Sequence, residues 1–172
     1  MGMDTHWMYP QSAGFETANW LRQEAHLPWA TGTATWVQRR VASFAVEAPD
    51  SACLFDSVIS AHDVIQGGQL GSCWLVAALA SLADRDCGDW IRQMFHLHDD
   101  GGVSPQGIYS IRVWGDGVPR YVFVDDILPC ENVSGQVSPA FSRNRRPDEF
   151  WVPVLEKAIC KLLGGYSHIE GG

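Results

Sequence analysis

The chain has 172 residues, with 12 basic and 20 acidic side chains and a formal net charge of −8. This acidic balance argues against nucleic acid as the main partner and against a basic membrane-binding patch. Hydrophobic residues make up 46% of the chain, which excludes wholesale disorder and predicts one globular domain with a sizeable core.

The cysteine pattern argues against a secreted, disulfide-stabilised protein. Five cysteines are an odd number and contain no Cys-x-x-Cys pair: they are Cys53, Cys73, Cys87, Cys130 and Cys160. This pattern is typical neither of a disulfide framework nor of a zinc site. No apolar run could span a membrane, and the N-terminus lacks a secretory signal. We therefore expect an intracellular, cytoplasmic protein, with association with the cytoskeleton or a membrane left open.

In chain order, the first predicted unit is an irregular N-terminal arm over 1–35, followed by a core domain over 36–172. Within the core, alternating residues over 108–114 predict a strand. The segment 121–124 predicts its antiparallel return strand, so the two should form a hairpin. We expect Pro129 to end this segment.

Earlier in the core, a glycine-rich loop over 65–70 precedes a predicted helix. The run 75–83 is rich in Ala and Leu, both strong helix formers, and is apolar on nearly every side. Such a pattern is typical of a central, buried helix. Ser72 is a natural N-cap residue, which places Cys73 in the first helical turn.

The clearest predicted helix covers 150–163. Its apolar residues follow the i, i+3, i+4, i+7 rule and are Trp151, Val154, Leu155, Ala158, Ile159, Leu162 and Leu163. Glu156, Lys157 and Lys161 fall on the opposite face, which should point to solvent. Gly164 should end the helix.

Cys73 is the candidate nucleophile among the five thiols. A thiol reacts as its thiolate, and a helix N-terminus favours negative charge because its N–H groups and macrodipole point outwards there. A glutamine just upstream could donate, together with the Cys73 backbone N–H, to an oxyanion formed at a substrate carbonyl. On spacing alone, a buried structural cysteine is an equally good interpretation.

Three blocks of sequence resemble the calpain-type cysteine proteases. Residues 66–82 are similar to the family pattern Q-G-x-L-G-D-C-W-x-x-A-x-x-A-S-L, and residues 124–129 to V-D-D-x-L-P. The third block starts at Glu149 with E-F-W and continues through L-E-K-A to a late Gly-Gly. The resemblance covers about 60–172. It implies an α+β, papain-like fold whose N-terminal half is mostly helical, with a central buried helix carrying Cys73 and a small antiparallel sheet.

Matched position by position, Cys73 corresponds to the family's nucleophile. Gln66 corresponds to its oxyanion glutamine if Gly68 is an inserted residue. The same insertion matches Asp63 to a calcium-binding aspartate, and Glu149 matches a carboxylate ligand of the same site. The resemblance therefore implies Ca²⁺ as a cofactor, bound by residues that include these two.

Two departures from the family pattern lie close to the nucleophile. Ser72 stands where the family usually has Asp, and the extra loop residue leaves open whether Gln66 or Gln69 reaches the oxyanion position. Gly-Ser-Cys-Trp also occurs in papain-like enzymes, but Leu70 stands where their local pattern has its first cysteine. A secreted papain relative is therefore the weaker interpretation.

The active site predicted in this way is incomplete. A cysteine protease also needs a histidine base and an Asn or Asp that orients it, and papain-like chains place these about 130–150 residues after the cysteine. In calpains both lie in a second subdomain of the protease core. We expect a fragment of a calcium-dependent cysteine endopeptidase, inactive alone, whose partners are a protein or peptide substrate and that second subdomain. A catalytically degenerate, calpain-like scaffold or binding protein is the alternative.

Overall fold

The computed structural model describes residues 35–41, 52–55, 58–67, 70–96 and 101–171. The arm predicted over 1–35 lies outside them except for its last residue, so the predicted domain boundary stays a prediction. None of the helices in the described ranges is both long and apolar enough to cross a membrane.

The described residues combine eight short strands with three α-helices, which confirms the α+β class. The strands are β1 Thr35–Arg40, β2 Val64–Ile65, β3 Phe95–His96, β4 Ile108–Gly115, β5 Val118–Asp125, β6 Ile127–Val133, β7 Gln136–Pro139 and β8 Arg143–Asn144. The helices are α1 Cys73–Ala83, α2 Asp89–Met94 and α3 Trp151–Leu163.

The strands form three small antiparallel sheets, ordered β1–β6–β7, β2–β8 and β3–β4–β5. A small antiparallel sheet was therefore predicted correctly and occurs three times, whereas the expectation of a mostly helical half was wrong for the described residues. The additional strands are short and irregular in sequence, and they are defined by pairing with distant segments. Hydrophobic periodicity does not report such pairing.

The hairpin of β4 and β5 confirms the strongest strand prediction. Gly115 pairs with Val118, so the loop has only two residues. These residues, Asp116 and Gly117, both have positive φ, at 54° and 76°. A two-residue loop of this kind matches the right-handed twist of the strands that it joins.

The prediction that Pro129 ends this region was wrong. β6 continues through Pro129, which lies opposite Gln38 of β1. A proline has no N–H to donate, but the Pro129 carbonyl accepts a hydrogen bond from the Ala140 N–H at 3.0 Å. The strand therefore keeps a bond on its β7 side in spite of the proline.

Helix α3 forms where its periodicity predicts, but its burial differs from the prediction. It ends before Gly164, whose φ of 103° is the left-handed conformation that suits a helix C-terminus. Every residue from Trp151 to Ala158 is buried. Glu156 and Lys157, predicted to face solvent, are only 1% and 4% exposed.

The ammonium group of Lys157, the buried lysine of α3, has its hydrogen-bond partners inside the fold. The Lys157 ammonium group donates to the Asp125 carboxylate and to the Ile127 carbonyl oxygen, at the junction of β5 and β6. One turn later, Lys161 donates to the Phe123 carbonyl oxygen at 2.6 Å. Burial lowers the pKa of Lys161. These contacts fasten α3 to β5 and give the buried charge of Lys157 its partners, whereas Lys161 stays partly exposed.

Helix α1 begins at Cys73 as predicted, but it is not buried on all sides. Its buried residues are Leu75, Leu79 and Ala83, which lie four positions apart on one face. The exposed residues are Cys73, Trp74, Ala77, Ala78 and Ser81. An alanine-rich sequence favours a helix without requiring burial, because a methyl group exposed to water costs little.

We expect Leu79→Ala to lower the free energy of unfolding by about 2–5 kcal/mol, because it opens a cavity on the buried face of α1. Urea unfolding followed by circular dichroism measures this difference. Ala77→Gln, on the exposed face of the same helix, is the control and should change stability by at most about 0.5 kcal/mol. Equal losses in both variants would contradict the one-sided burial of α1.

Candidate active site

Cys73 is the first residue of α1, and its side chain is exposed. The alternative of a buried structural cysteine is therefore wrong. Cys87 is the other exposed thiol, whereas Cys130 and Cys160 are buried. The described structure thus presents Cys73 to solvent at the N-terminus of an 11-residue helix, which is the placement that a nucleophilic thiol needs. Its catalytic role stays a prediction.

Ser72 occupies the N-cap position of α1, but its hydroxyl does not cap the helix. The helix starts with the Val76 N–H donating to the Ser72 carbonyl oxygen at 3.0 Å. The Ser72 hydroxyl instead donates to Oε1 of Glu156 at 3.1 Å. The N-cap position was predicted correctly, and the hydrogen-bond partner of its hydroxyl was not.

The carboxylate of Glu156 lies buried against the turn that carries Cys73. Besides Ser72 at Oε1, its Oε2 accepts the Ser142 backbone N–H at 2.9 Å. Burial raises the pKa of Glu156, while the hydrogen bonds from Ser142 and Ser72 act in the opposite direction. Both carboxylate oxygens therefore have partners, as a buried acid requires.

The helical periodicity of α3 did not identify this carboxylate, although the sequence contains a signal for it. Residues 150–155 include no polar side chain, so the first half of α3 is apolar on every side. A helix with that pattern is enclosed by the rest of the fold. The charged pair that follows, Glu156 and Lys157, must then find partners inside.

Gln66, the predicted oxyanion donor, lies exposed in the loop after β2. The next residue, Gly67, is buried against the chain at Phe141: a Cβ at position 67 would lie 1.8 Å from the Phe141 carbonyl oxygen. Only glycine fits this approach. Gly68 and Gln69 lie outside the described residues, so the choice between Gln66 and Gln69 stays open.

The other side of the Cys73 turn contacts the segment after α3. The Gly171 N–H donates to the Gly71 carbonyl oxygen at 3.1 Å. The Trp74 indole N–H donates to the Ile169 carbonyl oxygen at 2.9 Å. Trp74 is 40% exposed, and it fastens the start of α1 to this segment.

The two predicted calcium ligands lie on neighbouring stretches of chain. Asp63 precedes β2, which pairs with β8, and Glu149 follows β8 by five residues. Oδ2 of Asp63 already accepts hydrogen bonds from the backbone N–H and hydroxyl of Ser60, at 2.8 and 3.3 Å. Glu149 is 2% exposed.

Calcium in proteins takes six to eight oxygen ligands, which two carboxylates do not supply. Among the residues described, no group of three His, Cys, Asp or Glu side chains comes together. The described residues therefore offer two candidate carboxylates but do not complete a calcium site.

Comparisons with known proteins agree with the sequence motifs. A model of the calpain family of cysteine proteases matches residues 18–172. The calpain-type cysteine protease ADL1 of Oryza sativa subsp. japonica is 34% identical over 137 residues, which are 80% of this chain and 6% of that protein. Calpain-5 of Mus musculus is 37% identical over 129 residues, which are 72% of this chain and 19% of that protein. The chain belongs to the calpain family, and it spans less than a fifth of these relatives.

The raised pKa of Glu156 predicts how stability depends on pH. The folded chain holds the Glu156 proton more tightly than the unfolded chain does, whose carboxyl has the ordinary pKa of 4.5. Protonation of Glu156 therefore stabilises the folded chain. This stabilisation is complete below about pH 4 and is lost as the pH rises through the folded-state pKa of Glu156.

We therefore expect Glu156→Gln, which does not titrate, to gain stability relative to the parent chain as the pH rises from about 4 towards neutrality. The gain should be at most ~1.4 kcal/mol per pH unit. Urea unfolding of both chains between about pH 4 and 7 measures it. A stability difference that stays constant across this range would contradict the raised pKa.

Proposed function

We propose that this chain supplies the nucleophile of a cysteine endopeptidase, with Cys73 attacking the carbonyl carbon of a peptide bond. The position of Cys73 is the observation that supports this most directly: it is an exposed thiol at the first residue of α1. Membership of the calpain family supplies the reaction class, because the family consists of cysteine proteases.

The proposed reaction has two steps. The Cys73 thiol gives its proton to a histidine as its sulfur forms a bond to the carbonyl carbon, and the carbonyl oxygen takes the negative charge. The Cys73 backbone N–H and the Gln66 side-chain amide donate to this oxyanion. The C–N bond then breaks, the leaving amine takes a proton from the histidine, and a thioester remains. Water hydrolyses the thioester and restores the thiol.

In this proposal the histidine, and the Asn that orients it, belong to a second subdomain of the protease core. That subdomain is the first proposed partner, and a protein or peptide substrate is the second. The exposed start of α1 supports this arrangement, because Cys73 and Trp74 are both accessible to a facing surface. The odd number of cysteines and the absence of a Cys-x-x-Cys pair support a reducing, intracellular compartment.

Calcium is part of the proposal as an ion held through Asp63 and Glu149. The support is their placement beside the paired strands β2 and β8. The Arg145 N–H donates to the Asp63 carbonyl oxygen at 2.9 Å and so links the two stretches again. Carboxylates are suitable ligands for this hard cation, but further oxygens would be needed.

We expect iodoacetamide at neutral pH to alkylate Cys73 about fivefold faster than Cys87. Cys73 is the first residue of the 11-residue helix α1, where the backbone N–H groups point outwards, whereas Cys87 lies in a turn before the short α2. Timed labelling followed by peptide mass spectrometry measures both rates within the same molecule. Equal, slow rates at both thiols would contradict the proposed nucleophile and favour the scaffold alternative.

In this proposal the chain alone should not cleave peptides, because the histidine base belongs to the second subdomain. A fluorogenic peptide assay tests this, with Cys73→Ala as the control. Cleavage by the chain alone that disappears in Cys73→Ala would show that the base is already present. A protein in which the second subdomain is joined to this chain should cleave, and its failure to do so would also favour a scaffold.

For calcium, we expect Asp63→Asn to weaken binding at least about tenfold, because it removes a charged ligand. Isothermal titration calorimetry measures the affinity. Asp84→Asn is the matched control: Asp84 accepts the Ala61 N–H at 2.7 Å and so holds the turn that contains Asp63, without being a proposed ligand. Absence of binding to the parent chain, or equal losses in the two variants, would contradict the proposed site.

A further inference from the structure

Two segments must keep a fixed separation if the proposed reaction is to work. One segment, 70–73, carries the Cys73 thiol and backbone N–H. The other, 64–67, carries Gln66. A displacement of about 1 Å between such groups can reduce a reaction rate about a hundredfold. The question is which contact sets the distance between the two segments.

The Cys73 segment is held directly by α3. The Ser72 hydroxyl, one residue before the nucleophile, donates to Oε1 of Glu156 at 3.1 Å. Ser72 and Glu156 are each only 1% exposed, so water does not compete for this bond. The bond therefore fixes the residue on which α1 starts.

The Gln66 segment is held through the chain at 140–143. Gly67 packs against the carbonyl oxygens of Ala140 and Phe141, and Ile65 pairs with Arg143. The Ser142 backbone N–H, in the middle of this stretch, donates to Oε2 of Glu156 at 2.9 Å. The second oxygen of the same carboxylate thus supports the second segment.

We propose that Glu156 is a positioning residue, whose two carboxylate oxygens set the distance between the Cys73 segment and the Gln66 segment. This proposal rests on the proposed function. A carboxylate suits the task because it is planar and rigid and accepts a hydrogen bond at each oxygen. The helix behind it suits the task as well, since α3 is buried from Trp151 to Ala158.

Four variants of the chain test the proposal. Glu156→Leu removes both bonds, and Ser72→Ala removes only the bond to the Cys73 segment. Glu156→Gln can keep both, with its oxygen accepting the Ser142 N–H and its amide donating to the Ser72 hydroxyl. Lys157→Met is the matched control, because Lys157 is a buried charge on the same helix that bonds to Asp125 instead.

The first measurement is hydrogen exchange in peptides that cover 64–67 and 70–74. Glu156→Leu should speed exchange in both segments, Ser72→Ala in 70–74 alone, and Glu156→Gln in neither. The second measurement is the Cys73-to-Cys87 alkylation ratio at neutral pH. It should fall about fivefold in Glu156→Leu, the size of the helix N-terminal effect, and stay at the parent value in Glu156→Gln and Lys157→Met.

A parent ratio near one would overturn the proposed function and this proposal with it. A high parent ratio that Glu156→Leu and Ser72→Ala leave unchanged would overturn the positioning role alone. An equal fall in Lys157→Met would show a general loss of stability and would overturn it too. If Glu156→Leu does not fold, Ser72→Ala decides: unchanged exchange in 70–74 contradicts the proposal.

Discussion

The buried carboxylate of Glu156 is the contact on which the arrangement around Cys73 depends. It joins α3, the turn before α1 and the chain before β8 through two hydrogen bonds. A carboxylate taken out of water costs several kcal/mol unless it is bonded. Its partners therefore cannot move away singly without leaving a buried acceptor unsatisfied, and the three segments are fixed relative to one another.

Helix α3 provides the base for this arrangement because two of its charged residues, Glu156 and Lys157, are buried. Lys157, next to Glu156 in sequence, holds the junction of β5 and β6 through Asp125. After the helix ends at Leu163, the chain returns to the turn that carries Cys73. There the Gly171 N–H donates to the Gly71 carbonyl oxygen. One helix and the segment that follows it thus support the candidate site from two sides.

This arrangement also includes the residue that departs from the family pattern beside the nucleophile. Ser72 stands in place of the family's usual Asp. In the structure the serine hydroxyl satisfies Glu156. The serine is thus matched to its surroundings, and its presence does not by itself indicate lost catalysis.

The sequence by itself determined the family, the start of α1 at Cys73, the β4–β5 hairpin and the extent of α3. Motifs, turn residues and local periodicity carry that information along the chain. Tertiary structure decided which faces are buried: α1 is half exposed, Glu156 and Lys157 are enclosed, and β6 runs through Pro129. These outcomes depend on partners distant in sequence, such as Ser72 and Ser142 for Glu156, and no local pattern contains them.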